Sequence, residues 1–213
     1  MSDCCLKGFQ WNAKPKGRDA KLVILNCYIT GSNKDRFTNT RLLADQYAEE
    51  VGATVYIPDI FKGEVIPADI LNDQSRWAEM DVPGFLERNS KAIRGSEVIE
   101  CAGDLRSQHK RIGSIGFCYG GWGVFLFGTK ANPLVDCITT AHPSQLEEIE
   151  IENVGVPVQI MAPEKDPWFT DELKAFSNRY FPGLEHGFAV RGEREGMERA
   201  KNAAVLWFQQ WLK

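Results

Sequence analysis

No stretch of this 213-residue chain approaches the roughly 18 consecutive apolar residues that a membrane-spanning helix needs. The N-terminus, Met1 to Lys7, lacks the charged-then-apolar pattern of a secretory signal, so a cytoplasmic protein with no membrane partner is expected. There is no basic stripe either. The 25 Lys and Arg are scattered singly among 29 Asp and Glu, and the net charge is -4, which excludes a phosphate-backbone footprint and leaves nucleic acid as no expected partner. The 6 cysteines include no C-x₂₋₄-C pair, so neither a zinc site nor, in a cytosolic chain of this length, a disulfide framework is expected. Cys4 and Cys5 are adjacent, and Cys27, Cys101 and Cys137 sit in or beside apolar segments, where small buried hydrophobes are the ordinary reading. Imidazole is scarce: the chain has 3 histidines, His109, His142 and His186. Repeats, low-complexity tracts and linkers are also missing, so one domain over residues 1–213 is expected, and no self-associating apolar stripe argues against a monomer.

What is present is an alternation of short apolar runs with longer amphipathic stretches, the pattern of strands wrapped by helices. Lys21 to Cys27 reads as a buried strand and Thr38 to Val51 as a helix stopped by Gly52. Ala53 to Ile57 is the next strand, ending at Pro58, and an irregular segment runs from Asp59 to Pro83. Phe85 to Cys101 has helical period, Arg111 to Ile115 is a strand, and Trp122 to Phe127 continues as a helix. Cys137 to Ala141 and Val156 to Ala162 read as strands, Asp171 to Phe176 as a helix, Arg179 to Phe181 as a short edge strand and Glu195 to Lys213 as a closing amphipathic helix. The sum is an α/β fold, a doubly wound, mostly parallel sheet flanked by helices, with its loops gathered at one edge.

One segment carries chemistry. Gly116-Phe117-Cys118-Tyr119-Gly120, followed by Gly121, arrives straight off the apolar run Ile112 to Ile115 and reads as a nucleophile elbow. Such a sharp strand-to-helix turn lifts one side chain above the carboxyl edge of a sheet, and glycines on either side leave room for the strained backbone. Here the lifted group is a thiol, which attacks only as thiolate and so demands a base. His186 lies downstream, after an acid candidate, Asp166, which follows the strand ending at Ala162; nucleophile, acid and histidine thus come in the chain order of α/β hydrolases. Each has a plainer reading: Cys118 as buried filler, Asp166 before Pro167 as a turn cap with Glu164 as the fallback acid, and His186 as a loop surface residue. His142 follows a strand but stands between nucleophile and acid, so it shapes the pocket rather than serving as base, whereas His109 looks solvent-facing. Ser114 and Ser144, the alternatives for a serine nucleophile, do not lie at an elbow.

The chemistry this set supports is acyl transfer to water. His186 takes the thiol proton, Asp166 holds the imidazole tautomer, and Cys118 attacks an ester or lactone carbonyl, giving an acyl-enzyme. The backbone N–H of Tyr119 and one near Ile29, after the first strand, would receive the oxyanion. Tyr28, Phe61, Trp77, Tyr119, Trp168 and Phe188 are aromatic candidates for pocket walls. The competing reading is a binding or redox-sensing protein that keeps the fold and a low-pKa thiol but hydrolyses little.

With these residues in place the chain resembles the dienelactone hydrolase family, α/β hydrolases with a Cys, Asp, His triad. The likeness is carried by Tyr28 to Asn33, by Ile57-Pro58-Asp59, by the elbow Gly116 to Gly121, by Ala141-His142-Pro143-Ser144 and by His186 to Arg191, and it is nearest to the eukaryotic, fungal-type branch. It implies hydrolysis of a cyclic enol ester to an open keto acid, without cofactor or metal. It also implies that Cys118, Asp166 and His186 form the triad and that the amides of Ile29 and Tyr119 form the oxyanion hole. Family arginines bind the substrate carboxylate, for which Arg76 and Arg191 are the counterparts here. Bacterial members carry a glutamate where this chain has Tyr28, so activation of Cys118 would rest on His186 and the helix dipole.

Overall fold

A computed structural model of the chain describes residues 14, 16, 18–22, 25–29, 38–64, 70, 74–175 and 179–212. Its strands fall into two sheets. Strands β1 (Arg18–Leu22), β2 (Leu25–Ile29) and β3 (Tyr56–Pro58) form an antiparallel sheet in that order, and β4 (Gly113–Phe117), β5 (Cys137–Ala141), β6 (Val158–Lys165) and β7 (Arg179–Glu185) form a parallel one. The single strand expected over Lys21 to Cys27 is therefore two strands, with Leu22 opposite Leu25, because the apolar run there is folded back on itself. The strand expected from Ala53 is shorter, with only Tyr56–Pro58 paired, and the edge strand expected to end at Phe181 continues to Glu185.

Helices α1 (Thr38–Val51), α2 (Val82–Arg88), α3 (Lys91–Gln108), α4 (Gly120–Phe127), α5 (Glu148–Glu152), α6 (Asp171–Lys174), α7 (Phe188–Arg191) and α8 (Arg194–Trp211) complete the described elements, with a 3₁₀ helix at Gln74–Glu79. The helix read as continuous from Phe85 to Cys101 is broken at Asn89 and Ser90. Ser90 takes the extended backbone of an N-cap, and Asp81, whose carboxylate accepts the Gly84 N–H at 3.0 Å, caps the preceding helix inside the segment read as irregular.

Strand β5 explains how the parallel sheet is covered. All five of its residues are buried, as they must be when helices occupy both faces. Leu43, Tyr47, Met161, Ala200, Ala204 and Phe208 pack on the side of α1 and α8, and Val124, Phe125, Ile138, Ile160 and Phe169 on the other. Helix α8 presents Met197, Ala200, Ala204, Val205 and Phe208 at helical spacing, and burying each large side chain among them contributes about 2 kcal/mol. The two threonines inside β5 keep their hydroxyls satisfied: Thr139 donates to the Gln159 side chain at 3.0 Å and Thr140 to the Gly116 carbonyl at 2.9 Å. No helix among the described residues is long and apolar enough to cross a membrane.

Candidate active site

Each of the four parallel strands delivers its next residue to the same edge. Cys118 follows β4, His142 follows β5, Asp166 follows β6 and His186 follows β7. The register aligns Phe117 with Ala141 and Ala141 with Met161; β6 runs on for four further residues before Asp166, where Lys165 pairs with Glu185. Sequence-distant side chains are thus brought together by strand pairing alone.

At the elbow Cys118 has φ of +49°, a left-handed conformation that costs a non-glycine residue roughly 1–3 kcal/mol and persists only where neighbours enforce it. Its N–H donates to the Ala141 carbonyl at 3.3 Å, and its own carbonyl accepts from Gly121 and Ser144, both at 2.9 Å. A Cβ at Gly116 would collide with the Gly120 carbonyl, and one at Gly121 with Pro143. Around Gly120 the space is open, so of the glycines in the motif it is Gly116 and Gly121 that the turn requires.

Sγ of Cys118 lies 3.2 Å from Nε2 of His186, and Nδ1 of His186 lies 2.9 and 3.0 Å from the two carboxylate oxygens of Asp166. Asp166 and His186 are buried, while Cys118 is partly exposed. Asp166 is also a turn cap, since its Oδ1 accepts the N–H groups of Trp168 at 2.9 Å and Phe169 at 3.2 Å. The two readings of this residue are one arrangement: the cap orients the carboxylate that faces the imidazole. Glu164, the fallback acid, is turned away, and its carboxylate accepts the Gly183 N–H.

Burial pushes the Cys118 thiol up, but the adjacent His186, the Ser144 hydroxyl and the Tyr119 N–H more than offset this and hold it below its ordinary value. For His186, burial pushes down, but hydrogen bonds to Asp166 and Cys118 and their negative charge raise it to about 10. Both shifts favour a thiolate facing an imidazolium. Helix α4, beginning at Gly120 just past the sulfur, adds its positive N-terminal dipole.

Tyr119 extends the site sideways. Its ring lies 5.1 Å from Phe61 and 5.5 Å from Trp122, Phe61 is 5.1 Å from Phe85, and its hydroxyl donates to the Asn89 carbonyl. Asn89 is a junction that sequence reasoning missed. Its side chain accepts from Nε and Nη2 of the buried Arg94 at 2.9 and 2.8 Å and donates to Glu64 at 2.9 Å. An Asn-Ser pair inside a helical pattern is a helix stop followed by a helix start, and that signal was available to find it.

The remaining expected site residues are placed differently. Phe188 is buried in the core, 5.7 Å from the His142 ring, so it supports the site from behind instead of lining it. Trp168 is about half exposed beside Asp166. Arg76 pairs with Glu79 at 2.9 Å on the 3₁₀ helix. Tyr28 and Ile29 end β2, where Ile29 stands opposite Tyr56 of β3; their side chains, like those of Trp77 and Arg191, lie outside the described residues, as do Thr30 to Asn33, Cys4 and Cys5. His142 is fully buried, its ring 4.9 Å from that of His186. His109 is not solvent-facing: it is half-buried, with Nε2 3.1 Å from the Tyr56 hydroxyl, because the end of α3 packs against β3.

A nucleophile, a base and an orienting acid in hydrogen-bonded line are the parts that nucleophilic acyl transfer requires. Residues 10–213 match the model of the dienelactone hydrolase family. The chain is 29% identical over 247 residues to the hydrolase tropI of Talaromyces stipitatus, covering 99% of this chain and 96% of that protein. It is 24% identical over 252 residues to dienlactone hydrolase 1 of Gibberella moniliformis, covering 98% and 93% respectively. Among solved structures it superposes on a dienelactone hydrolase from Anabaena variabilis with a TM-score of 0.67 at 14% identity, covering 94% of this chain and 100% of that one.

Proposed function

Because the chain belongs to the dienelactone hydrolase family, and is on that ground a carboxylic ester hydrolase, we propose that it cleaves small esters or lactones through an acyl-enzyme on Cys118. The observation that carries this reading is the line from sulfur to Nε2 at 3.2 Å and from Nδ1 to carboxylate at 2.9 Å. The contacts that lower the thiol and raise the imidazole favour the proton on His186 before substrate arrives. The thiolate attacks the carbonyl carbon, and the Tyr119 N–H, now bonded to the sulfur, with the N–H of Ile29, would receive the oxygen as it becomes anionic. His186 then gives its proton to the departing alkoxide, which in a lactone stays attached to the acyl group. Water, losing a proton to His186, attacks the thioester and expels the thiolate, while Asp166 fixes the ring throughout. Tyr119, packed on Phe61, would offer an aromatic wall to a planar, unsaturated acyl group, and Arg76 or Arg191 would recognise a carboxylate on it.

Rapid mixing with p-nitrophenyl acetate should give a p-nitrophenol burst proportional to enzyme, followed by steady turnover, with the acetyl group recovered on the Cys118 peptide by mass spectrometry. The lowered thiol of Cys118 supports a second reading, a redox-sensing protein of little hydrolytic activity. Alkylation or oxidation of Cys118 with no turnover of any ester or lactone would favour that alternative.

A further inference from the structure

Ser144 is buried one turn of chain past β5, and nothing in the acyl-transfer scheme uses it. Its position is enforced. The loop after Ala141 carries two left-handed non-glycine residues, His142 at φ +41° and Gln145 at φ +62°, on either side of Pro143 and Ser144. Pro143 occupies the space that Gly121 leaves by lacking a Cβ, and the Ser144 N–H donates to the Cys118 carbonyl at 2.9 Å. The same latch brings Oγ of Ser144 to 3.7 Å from Sγ of Cys118. Among the described residues sulfur thus has two polar side-chain neighbours, the imidazole at 3.2 Å and this hydroxyl.

We propose that Ser144 is a fourth working residue of the site, whose hydroxyl donates to the Cys118 thiolate and holds the anionic sulfur in place beside His186. The proposal deepens the cysteine-hydrolase reading and rests on it for its catalytic consequence. The geometry leaves the hydroxyl one choice once the sulfur is charged, because a thiolate only accepts and a hydroxyl can turn its proton toward it. The direction agrees with the lowered thiol, to which this hydrogen bond contributes. Among the described residues the titratable groups around the sulfur are His186, with Asp166 behind it and His142 packed on its ring; Ser144 adds a donor that does not itself titrate. When water attacks the thioester, the departing thiolate regains this donor, and a better-stabilised thiolate leaves faster.

The test is the pH dependence of Cys118 alkylation by iodoacetamide in the full chain, read on the Cys118 peptide. Ser144→Ala should raise the alkylation midpoint by about one pH unit, slowing alkylation about tenfold at pH values below the wild-type midpoint. Ser144→Thr, which keeps the hydroxyl, should titrate as wild type. The pair S144T and S144V compares hydroxyl and methyl at constant shape and decides the matter should Ser144→Ala fail to fold. Equal midpoints for Ser144→Ala and wild type, or for S144T and S144V, would overturn the proposal. Alkylation needs no ester turnover, so a chain that hydrolyses nothing but shows the shifted midpoint would refute the hydrolase reading and leave the role of Ser144 standing.

Discussion

Nε2 of His186 lies 3.2 Å from Sγ of Cys118, although 68 residues separate them in the chain. At that distance a proton can pass directly between the two groups, and burial of the imidazole keeps solvent from diluting their mutual charge. Cys118→Ala should lower kcat/KM for an activated ester by at least about a thousandfold, since the remaining groups have no covalent route to offer. Alanine fits the same backbone, so circular dichroism and the thermal midpoint should stay close to wild type.

The paired shifts also set how stability depends on pH. A histidine raised from 6.5 to about 10 contributes stability that is full below about 6.5 and is lost as pH rises toward about 10. A thiol lowered from 9.0 contributes stability that is full above about 9 and is lost as pH falls through its folded value. From the lowered folded value of the thiol up to about 9 the two slopes oppose each other, so the pair adds a level contribution there. Cys118→Ser removes the rising half. Urea unfolding across this range should show wild type gaining on the variant with pH, at up to about 1.4 kcal/mol per pH unit.

Asp166→Asn separates the cap from the charge. The asparagine oxygen can still accept the Trp168 and Phe169 amides, so the loop keeps its turn, but the amide nitrogen would face Nδ1 and force the proton to Nε2. The imidazole then cannot take the thiol proton. Hydrolysis should fall about ten-thousandfold with little change in thermal stability, measured as kcat at neutral pH beside a melting curve.

The elbow glycines should behave unequally. Gly120→Ala meets open space and sits in α4, so it should fold, retain activity and gain up to about 1 kcal/mol from helix propensity. Gly121→Ala drives a methyl into Pro143 and should lower the thermal midpoint by several degrees and reduce kcat together. Equal melting curves for the two variants would contradict the packing described here.

Asn89→Ala removes the acceptor that two guanidinium nitrogens of buried Arg94 share and leaves the cation its ion pair with Glu97 at 3.1 Å. A loss of about 3 kcal/mol in chemical denaturation is expected, because an under-partnered buried charge costs more than an ordinary hydrogen bond.

Much of this arrangement is legible in the sequence itself. Gly116 to Gly121 announced the elbow because an apolar run led into it and a helical run led away. Asp166 and His186 were legible because each follows a strand in the order the fold demands. What escaped the reading depended on partners distant in sequence. The hairpin between β1 and β2 hides inside one apolar run, since strand and hairpin share the same composition. Phe188, adjacent to a reactive loop, reads as a pocket wall until the packing of α7 turns it into the core. The contact of Ser144 with the sulfur is set by a backbone latch and two left-handed residues, which no local periodicity encodes.

Because each of Cys118, His142, Asp166 and His186 is the first residue past a strand, their mutual spacing is fixed by the hydrogen-bonded ladder and is indifferent to the crossovers that join one strand to the next. Lengthening or shortening a connector, such as the stretch between Gly128 and Val135, moves none of them. The loops of such a fold, and the molecules they admit, can therefore vary widely while the spacing of these four residues stays fixed.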